Sequence, residues 1–134
     1  MAAPEISATL DFTRPVALSL NALLHFVTDD SVDGDEGIVE HLKNVLPSGS
    51  TLTITHVTPD FDPDGIARLT GAHRAAGTPG QARLHAEIAQ FFAVWDLLNP
   101  GVVPPQRLRP GPDDGAENIT DAEAACYAGI ARKP

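Results

Sequence analysis

Seven consecutive residues, Thr51 to Val57, read Thr-Leu-Thr-Ile-Thr-His-Val. Five of them are β-branched Thr, Ile or Val, with the threonines at alternating positions, and such residues fit a pleated, half-buried surface better than a helix. The period of two puts Leu52, Ile54 and His56 on one face and the threonines on the other. This stretch therefore anchors the reading as a strand. Upstream, Arg14-Pro15 leads into Val16 to Leu20, a short apolar run that suits a strand buried on both faces of a parallel sheet. A helix competes for that run, because Leu20, Leu23, Leu24 and Val27 also lie at helical spacing. Between the two runs, Ile38, Val39, Leu42, Val45 and Leu46 form one apolar helical stripe. Asp35 and Glu36 lie near its start, where the helix dipole favours negative charge, and Pro47 and Gly49 stop it. Strand, helix, strand over this interval implies a βαβ unit with two parallel neighbours.

Beyond the anchor strand, Asp62 is placed to cap a second helix with Pro63 at its first position, running to about Ala76 and closed by Gly77. A third helix is expected over Leu84 to Val94, burying Ile88, Phe91 and Phe92. Pro104 to Ala122 is rich in Pro, Gly and Asp and reads as a mobile loop. Cys126 to Ala131 reads as a last strand. The first dozen residues read as a loop or a helix remnant. The whole is one α/β domain without internal repeats.

The charge balance limits the partners. The chain has 18 Asp and Glu against 9 Lys and Arg, and an acidic surface repels phosphate backbones, so nucleic acid is not expected. One cysteine, Cys126, rules out an intrachain disulfide and a cysteine-based zinc site. Met1 to Leu10 has no basic stretch and no apolar core of a signal peptide. Pro15 to Val27 is broken by Ser19, Asn21 and His25 and is too short to span a bilayer. The expectation is a cytoplasmic protein that does not enter a membrane. The histidines do not occur as H-E-x-x-H or H-x-H, so no metal site is expected.

One pattern points elsewhere. Asp29-x-Ser31-x-Asp33-Gly34 with Glu40 has the spacing of a calcium-binding EF-hand loop, and Asp60-x-Asp62-x-Asp64-Gly65 fits the first half of another. Against it, Glu36 stands where such a loop needs an apolar residue, Gly71 stands where the second loop needs its bidentate carboxylate, and a strand separates the two. Acidic turns and helix caps are the commoner cause of both strings, and a calcium-binding EF-hand-like protein stays open as the second alternative.

Several strings then occur in a recognisable order: Leu10-Asp11-Phe12-Thr13-Arg14-Pro15-Val16-Ala17, Leu24-His25-Phe26-Val27, Leu46-Pro47-Ser48-Gly49-Ser50, Asp60-Phe61-Asp62-Pro63, Ala86 to Phe92, Pro100-Gly101-Val102-Val103-Pro104 and Gly129 to Lys133. Together they resemble an actinobacterial S-adenosyl methyltransferase family, formerly a domain of unknown function, from about Pro4 to the end. The resemblance implies a class I methyltransferase fold, a mostly parallel seven-stranded sheet with helices on both faces. It implies that Val16–Asn21 is the fourth strand and Thr51–Val57 the fifth. The segments around Pro100–Pro104 and Gly129–Lys133 would be the antiparallel sixth and seventh. Strands one to three, with the Gly-rich turn and the acidic residue that hold the cofactor, have no counterpart here. No G-x-G-x-x-G follows a strand in this sequence. The chain is thus expected to be the C-terminal half of such a Rossmann-like sheet, as if a longer gene were cut between the third and fourth strands.

The resemblance also implies S-adenosylmethionine as cofactor and methyl transfer to a small-molecule acceptor. Ligands of open α/β sheets lie beyond the carboxyl ends of the strands. In agreement with that rule, the resemblance implies that Asn21, Ala22, Leu23 and Phe26, at and just past the end of the fourth strand, are the candidate cofactor-binding residues, and His25 the candidate base for the acceptor. A structural role for His25, hydrogen-bonded to backbone, and a turn-satisfying role for Asn21 remain open. The family carries an apolar residue at the position of Asn21. A sheet without its first three strands exposes an edge, which invites a homodimer or assembly with a separate N-terminal half. A non-catalytic module of the same fold is the alternative to an enzyme.

Overall fold

In a computed structural model of the chain, residues 4–29, 34–108, 111, 115 and 118–134 are described. Within them lie α1 (Pro4–Thr9), β1 (Ala17–Asn21), α2 (Gly34–Val45), β2 (Thr51–Val57), α3 (Pro63–Ala75), α4 (His85–Gln90), β3 (Asp96–Leu97), α5 (Asp121–Ala124) and β4 (Cys126–Arg132). The competition over Val16 to Leu20 resolves as a strand. The helical tendency of the residues after it survives only as a 3-10 turn, Leu24–Phe26.

The four strands form one sheet in the order β1-β2-β4-β3. β1 runs parallel to β2, with Leu18 opposite Leu52 and Leu20 opposite Ile54. β4 runs antiparallel to β2, with Gly129 opposite Ile54 and Ala131 opposite Leu52. The long crossover through α2 is what a parallel neighbour requires, whereas β4 returns the other way. The expected pair of parallel strands and pair of antiparallel strands are thus both present.

Three boundaries differ from expectation. The outer strand starts earlier than Pro100: Asp96 and Leu97 pair with Arg132 and Ala131. The chain then turns through a cis Asn99–Pro100 bond and Gly101 (φ +95°), and Val103 bridges Ala128. α4 ends at Gln90 rather than Val94. The following residues bond three positions back, Phe91 to Ile88, Phe92 to Ala89 and Trp95 to Phe92, and Val94 takes a left-handed φ of +60°. That reversal points Trp95 into the core and feeds β3. Of the segment expected as a mobile loop, Pro105–Arg107 form a 3-10 turn, and its last two residues, Asp121 and Ala122, already belong to α5. Residues 109, 110, 112–114, 116 and 117 lie outside the described residues.

One face of the sheet carries the core. Leu20, Leu52, Ile54 and Ala131 meet Val39 of α2, Leu46 just after it, and Ile88, Phe91, Phe92 and Trp95 from α4 and its exit. Gly129 lets Phe92 lie against the sheet, because a Cβ there would sit 2.8 Å from Phe92 Cζ. The α2 stripe includes one residue the apolar pattern hides. Lys43, between Val39 and Leu46, is buried; its ammonium donates to the Ala93 carbonyl at 2.8 Å and to Glu40 at 2.5 Å. Its apolar stem fills the stripe while the charged head finds acceptors and the Trp95 ring, 5.9 Å away. Val45, expected in the stripe, is exposed. On the other face Ala17, Ser19 and Asn21 of β1 are exposed, and among the described residues β1 has a strand partner on only one side.

Candidate functional site

The polypeptide leaves β1 at Asn21 and immediately takes a left-handed conformation at Ala22 (φ +52°). The Ala22 amide donates to the Thr55 hydroxyl at 2.9 Å, which ties this sharp exit to the neighbouring strand. The turn Leu24–Phe26 follows. Its Leu24 is driven into the core, which leaves Leu23 and Phe26 at the surface and His25 half-buried.

Two residues from the segment between α3 and α4 fasten this turn. Gln81 donates its backbone amide to the His25 carbonyl at 2.9 Å, and its side chain holds Asp29 through both amide atoms. Arg83 is 3% exposed. Its guanidinium donates to the Val27 carbonyl at 3.2 Å, to the Asp29 carboxylate at 2.8 Å and to His56 Nε2 at 2.9 Å. Since arginine only donates, His56 Nε2 must accept, and its Nδ1–H donates to the Val57 carbonyl at 2.8 Å. Burial, with smaller effects from Arg83 and His25, pulls the His56 pKa down to about 4, outweighing the bond to Val57. His56 is therefore the neutral acceptor that receives a buried cation.

The carboxyl ends of β1 and β2, α3, and the start of β4 enclose a cavity of about 300 Å³. Thr55, His56 and Val57 form its floor. Ile66, Leu69, Thr70 and His73 contribute the α3 wall, Ala22 and His25 the β1 side, and Cys126 the far side. The ring of His25 lies 5.9 Å from that of His56 and 4.2 Å from that of Phe26. Its Nδ1 is buried without a hydrogen-bond partner. Desolvation, with a smaller contribution from His73, lowers the His25 pKa.

Of the expected site residues, Ala22 and His25 line the cavity. Asn21, Leu23 and Phe26 do not. Asn21 is exposed, with its amide donating to Ser19 at 3.3 Å; Leu23 and Phe26 form an exposed apolar ledge beside the cavity, Phe26 within 6.0 Å of the His73 ring. Among the described residues, His25 Nδ1 makes no hydrogen bond to backbone. His56, Arg83, Gln81 and the α3 wall were not anticipated. For His56 a signal existed, since it shares the register of Leu52 and Ile54. For Arg83 there was none, because its partners lie far away in the sequence.

The calcium pattern has a different use here. Asp62 accepts from the Gly65 amide at 2.9 Å as the α3 cap, and Asp60 accepts from the His85 amide at 3.1 Å. The strand β2 separates the two strings. Ser31 and Asp33 lie outside the described residues. Among the described residues no three His, Cys, Asp or Glu side chains converge as metal ligands, and no helix is long and apolar enough to cross a membrane.

A parallel pair joined to an antiparallel pair, with a cavity at the carboxyl ends of the parallel strands, is the arrangement expected of the second half of a class I methyltransferase sheet. The model of the S-adenosyl methyltransferase family matches residues 1–134. The chain belongs to this family. It is similar to a DUF574 family protein from Streptomyces avermitilis, with a TM-score of 0.91 and 39% identity over 98% of this chain and 49% of that one. A methyltransferase-family structure from Thermobifida fusca has a TM-score of 0.80 and 31% identity, over 97% of this chain and 47% of that one. An O-methyltransferase family 2 protein from Planctomyces limnophilus shares the fold alone, at 19% identity and a TM-score of 0.59 over 93% of this chain and 33% of that one. No functionally curated protein matches. The chain thus spans about half the length of the two actinobacterial structures it resembles.

Proposed function

We propose that this chain provides the acceptor side of a methyl-transfer site that uses S-adenosylmethionine, in the cytoplasm, with the cavity at the ends of β1 and β2 receiving the small molecule to be methylated. The observation that carries the reading is the place of His25, an imidazole without a protein partner for Nδ1 on the wall of a cavity at the carboxyl ends of two parallel strands. That is where an open α/β sheet binds its ligands.

The residues fit one side of the cofactor. Leu23 and Phe26 offer an exposed apolar ledge, the backbone at Ala22 turns sharply beside it, and Asn21 adds an exposed amide. The chain has no Gly-rich turn to hold the other side. The cofactor when bound supplies a methyl group on a positively charged sulfur. Its transfer is a direct displacement, helped chiefly by alignment. The residues of this chain would align the acceptor. His25, held neutral by desolvation, would take the proton from the acceptor's heteroatom as that atom's lone pair forms the new bond to carbon. The pair of electrons from the broken carbon–sulfur bond stays on sulfur. Arg83 positions the turn that carries His25, and His56 anchors Arg83 while forming part of the cavity floor.

The partner that suits this reading is a polypeptide that pairs along the outer edge of β1, either a separate N-terminal half or a second copy of the chain. Strand edges with unpaired backbone groups recruit such partners. Calorimetric titration with S-adenosylhomocysteine tests the cofactor ledge. Leu23→Asp with Phe26→Asp should weaken binding about tenfold, the equivalent of about 1.4 kcal/mol. Binding unaffected by that double change, or no binding in either protein, contradicts the reading.

A further inference from the structure

The cavity lining contrasts with the acidic balance of the chain as a whole. The chain carries a formal charge of −9, yet among the described residues no Asp, Glu, Lys or Arg side chain lines the cavity. The nearby guanidinium of Arg83 is spent on Val27, Asp29 and His56 and lies behind the His56 ring. Asp29 is tied to Gln81 and Arg83. The walls are Ala22, Val57, Ile66, Leu69 and the alanines at the end of α5, with hydrogen-bonding groups at few points. Two of those points are already used. The Thr70 hydroxyl donates to the Ile66 carbonyl at 3.0 Å, and the Thr55 hydroxyl accepts from the Ala22 amide. His56 is closed off by Arg83 and Val57. The imidazole of His25, whose Nδ1 has no hydrogen-bond partner among the described residues, keeps hydrogen-bonding capacity, and the His73 imidazole on the α3 wall is a second such group.

Such a lining has consequences for what enters. A carboxylate or phosphate would lose its water and meet no cation, which costs far more than the apolar walls return. An ammonium would meet no anion. An uncharged apolar molecule loses little water, and a single hydroxyl on it would find an imidazole with hydrogen-bonding capacity to spare. The volume, about 300 Å³, lies at the lower end for small-molecule sites, and suits a body of one or two rings.

We propose that the cavity selects an uncharged, predominantly apolar small molecule bearing one hydroxyl, of the size of a bicyclic phenol, with the hydroxyl hydrogen-bonded to His25. This deepens the methyl-transfer reading by giving the class of acceptor and rests on it for the identification of the molecule as an acceptor. The binding selectivity stands on the cavity alone. Leu69 and His73, one helical turn apart on α3, then set the size limit of what is accepted.

The selectivity is tested with 1-naphthol, naphthalene and 1-naphthoate, each titrated into the isotope-labelled protein at neutral pH and followed through the amide signals of Ala22, Leu69 and Cys126. The expected order is naphthol tightest, naphthalene about tenfold weaker for want of one hydrogen bond, and naphthoate weaker than naphthalene. In His25→Phe, naphthol should fall to the affinity of naphthalene. In Leu69→Trp, which fills the cavity from a half-exposed position, naphthol and naphthalene should both lose at least about tenfold. Naphthoate binding as tightly as naphthol, or Leu69→Trp leaving all three affinities unchanged, overturns the proposal. A naphthol preference that survives His25→Phe overturns the assignment of the hydroxyl to His25. The parent reading fails separately: naphthol selectivity in a protein with no affinity for S-adenosylhomocysteine would leave the cavity assignment standing and remove methyl transfer. Cofactor binding without naphthol selectivity would do the reverse.

Discussion

Removing the Arg83 guanidinium tests how the candidate site is held together. In Arg83→Met the side chain keeps an apolar stem to lie near Phe91, whose ring is 5.9 Å from the guanidinium. The ion pair with Asp29 contributes little, because the Asp29 side chain is 64% exposed, and such pairs are worth about 0–1 kcal/mol. Removing the cation also removes its own desolvation cost. What remains is the loss suffered by groups left behind. His56 Nε2, accepting at 2.9 Å in a buried site, would have no donor, and the Val27 carbonyl would lose a charge-assisted bond at 3.2 Å. An unsatisfied buried group costs about 1–3 kcal/mol, so the variant should lose about 3 kcal/mol. Urea denaturation reads this as a lower midpoint at unchanged slope. Replacing both partners, Arg83→Met with His56→Phe, should cost at least about 1 kcal/mol less than the sum of the two single changes, because neither group is then left unpaired. A loss below about 1 kcal/mol for Arg83→Met, or additive single and double changes, would refute the claim that this pair holds the turn carrying His25.

Other outcomes follow from the same structure. His56 has a folded pKa of about 4 against an ordinary value of 6.5, so between those values the unfolded chain binds the extra proton. Stability should therefore be intact above about pH 6.5 and fall progressively as the pH drops toward 4. The loss from this group would reach about 3 kcal/mol at about 1.4 kcal/mol per pH unit, and a His56→Phe variant should lack that part of the pH dependence. Gly129→Ala places a Cβ within 3 Å of the Phe92 ring and should destabilise by about 1–3 kcal/mol by overpacking, read by thermal unfolding. The outer edge of β1 should recruit a partner, so light scattering should show an assembly larger than one chain, and a stable, well-folded monomer would speak against that part of the functional proposal.

The sequence shows the sheet more plainly than the site, for a physical reason. Strand β2 carries its signal locally, in the alternation of threonines with Leu52 and Ile54, and β1 and α2 follow from short-range apolar spacing. The Asp62 cap is likewise contained within four residues. α4 ends early because Val94 must adopt a left-handed turn for Trp95 to reach the core, a demand of tertiary packing that helical periodicity does not register. Lys43 in the α2 stripe is hidden for the same reason: its acceptor at Ala93 is set by the fold. At the site, the turn after β1 is legible because chemistry collects at strand ends. The clasp is not, since Arg83 reaches Val27 and His56 across 56 and 27 residues, and no local pattern marks such a pairing. His56 alone left a trace, as a polar residue in a buried register.

The central claim is that ligands meet this chain at the turn after β1. Adding S-adenosylhomocysteine, up to about 1 mM to reach even weak binding, to the isotope-labelled protein tests it by amide chemical shifts. The account predicts changes concentrated at Ala22 to Phe26 and along the rim of the cavity at Thr55 to Val57, with α2 and the far ends of the strands unmoved. An unchanged spectrum, or shifts gathered on α2 or around Trp95, would contradict it.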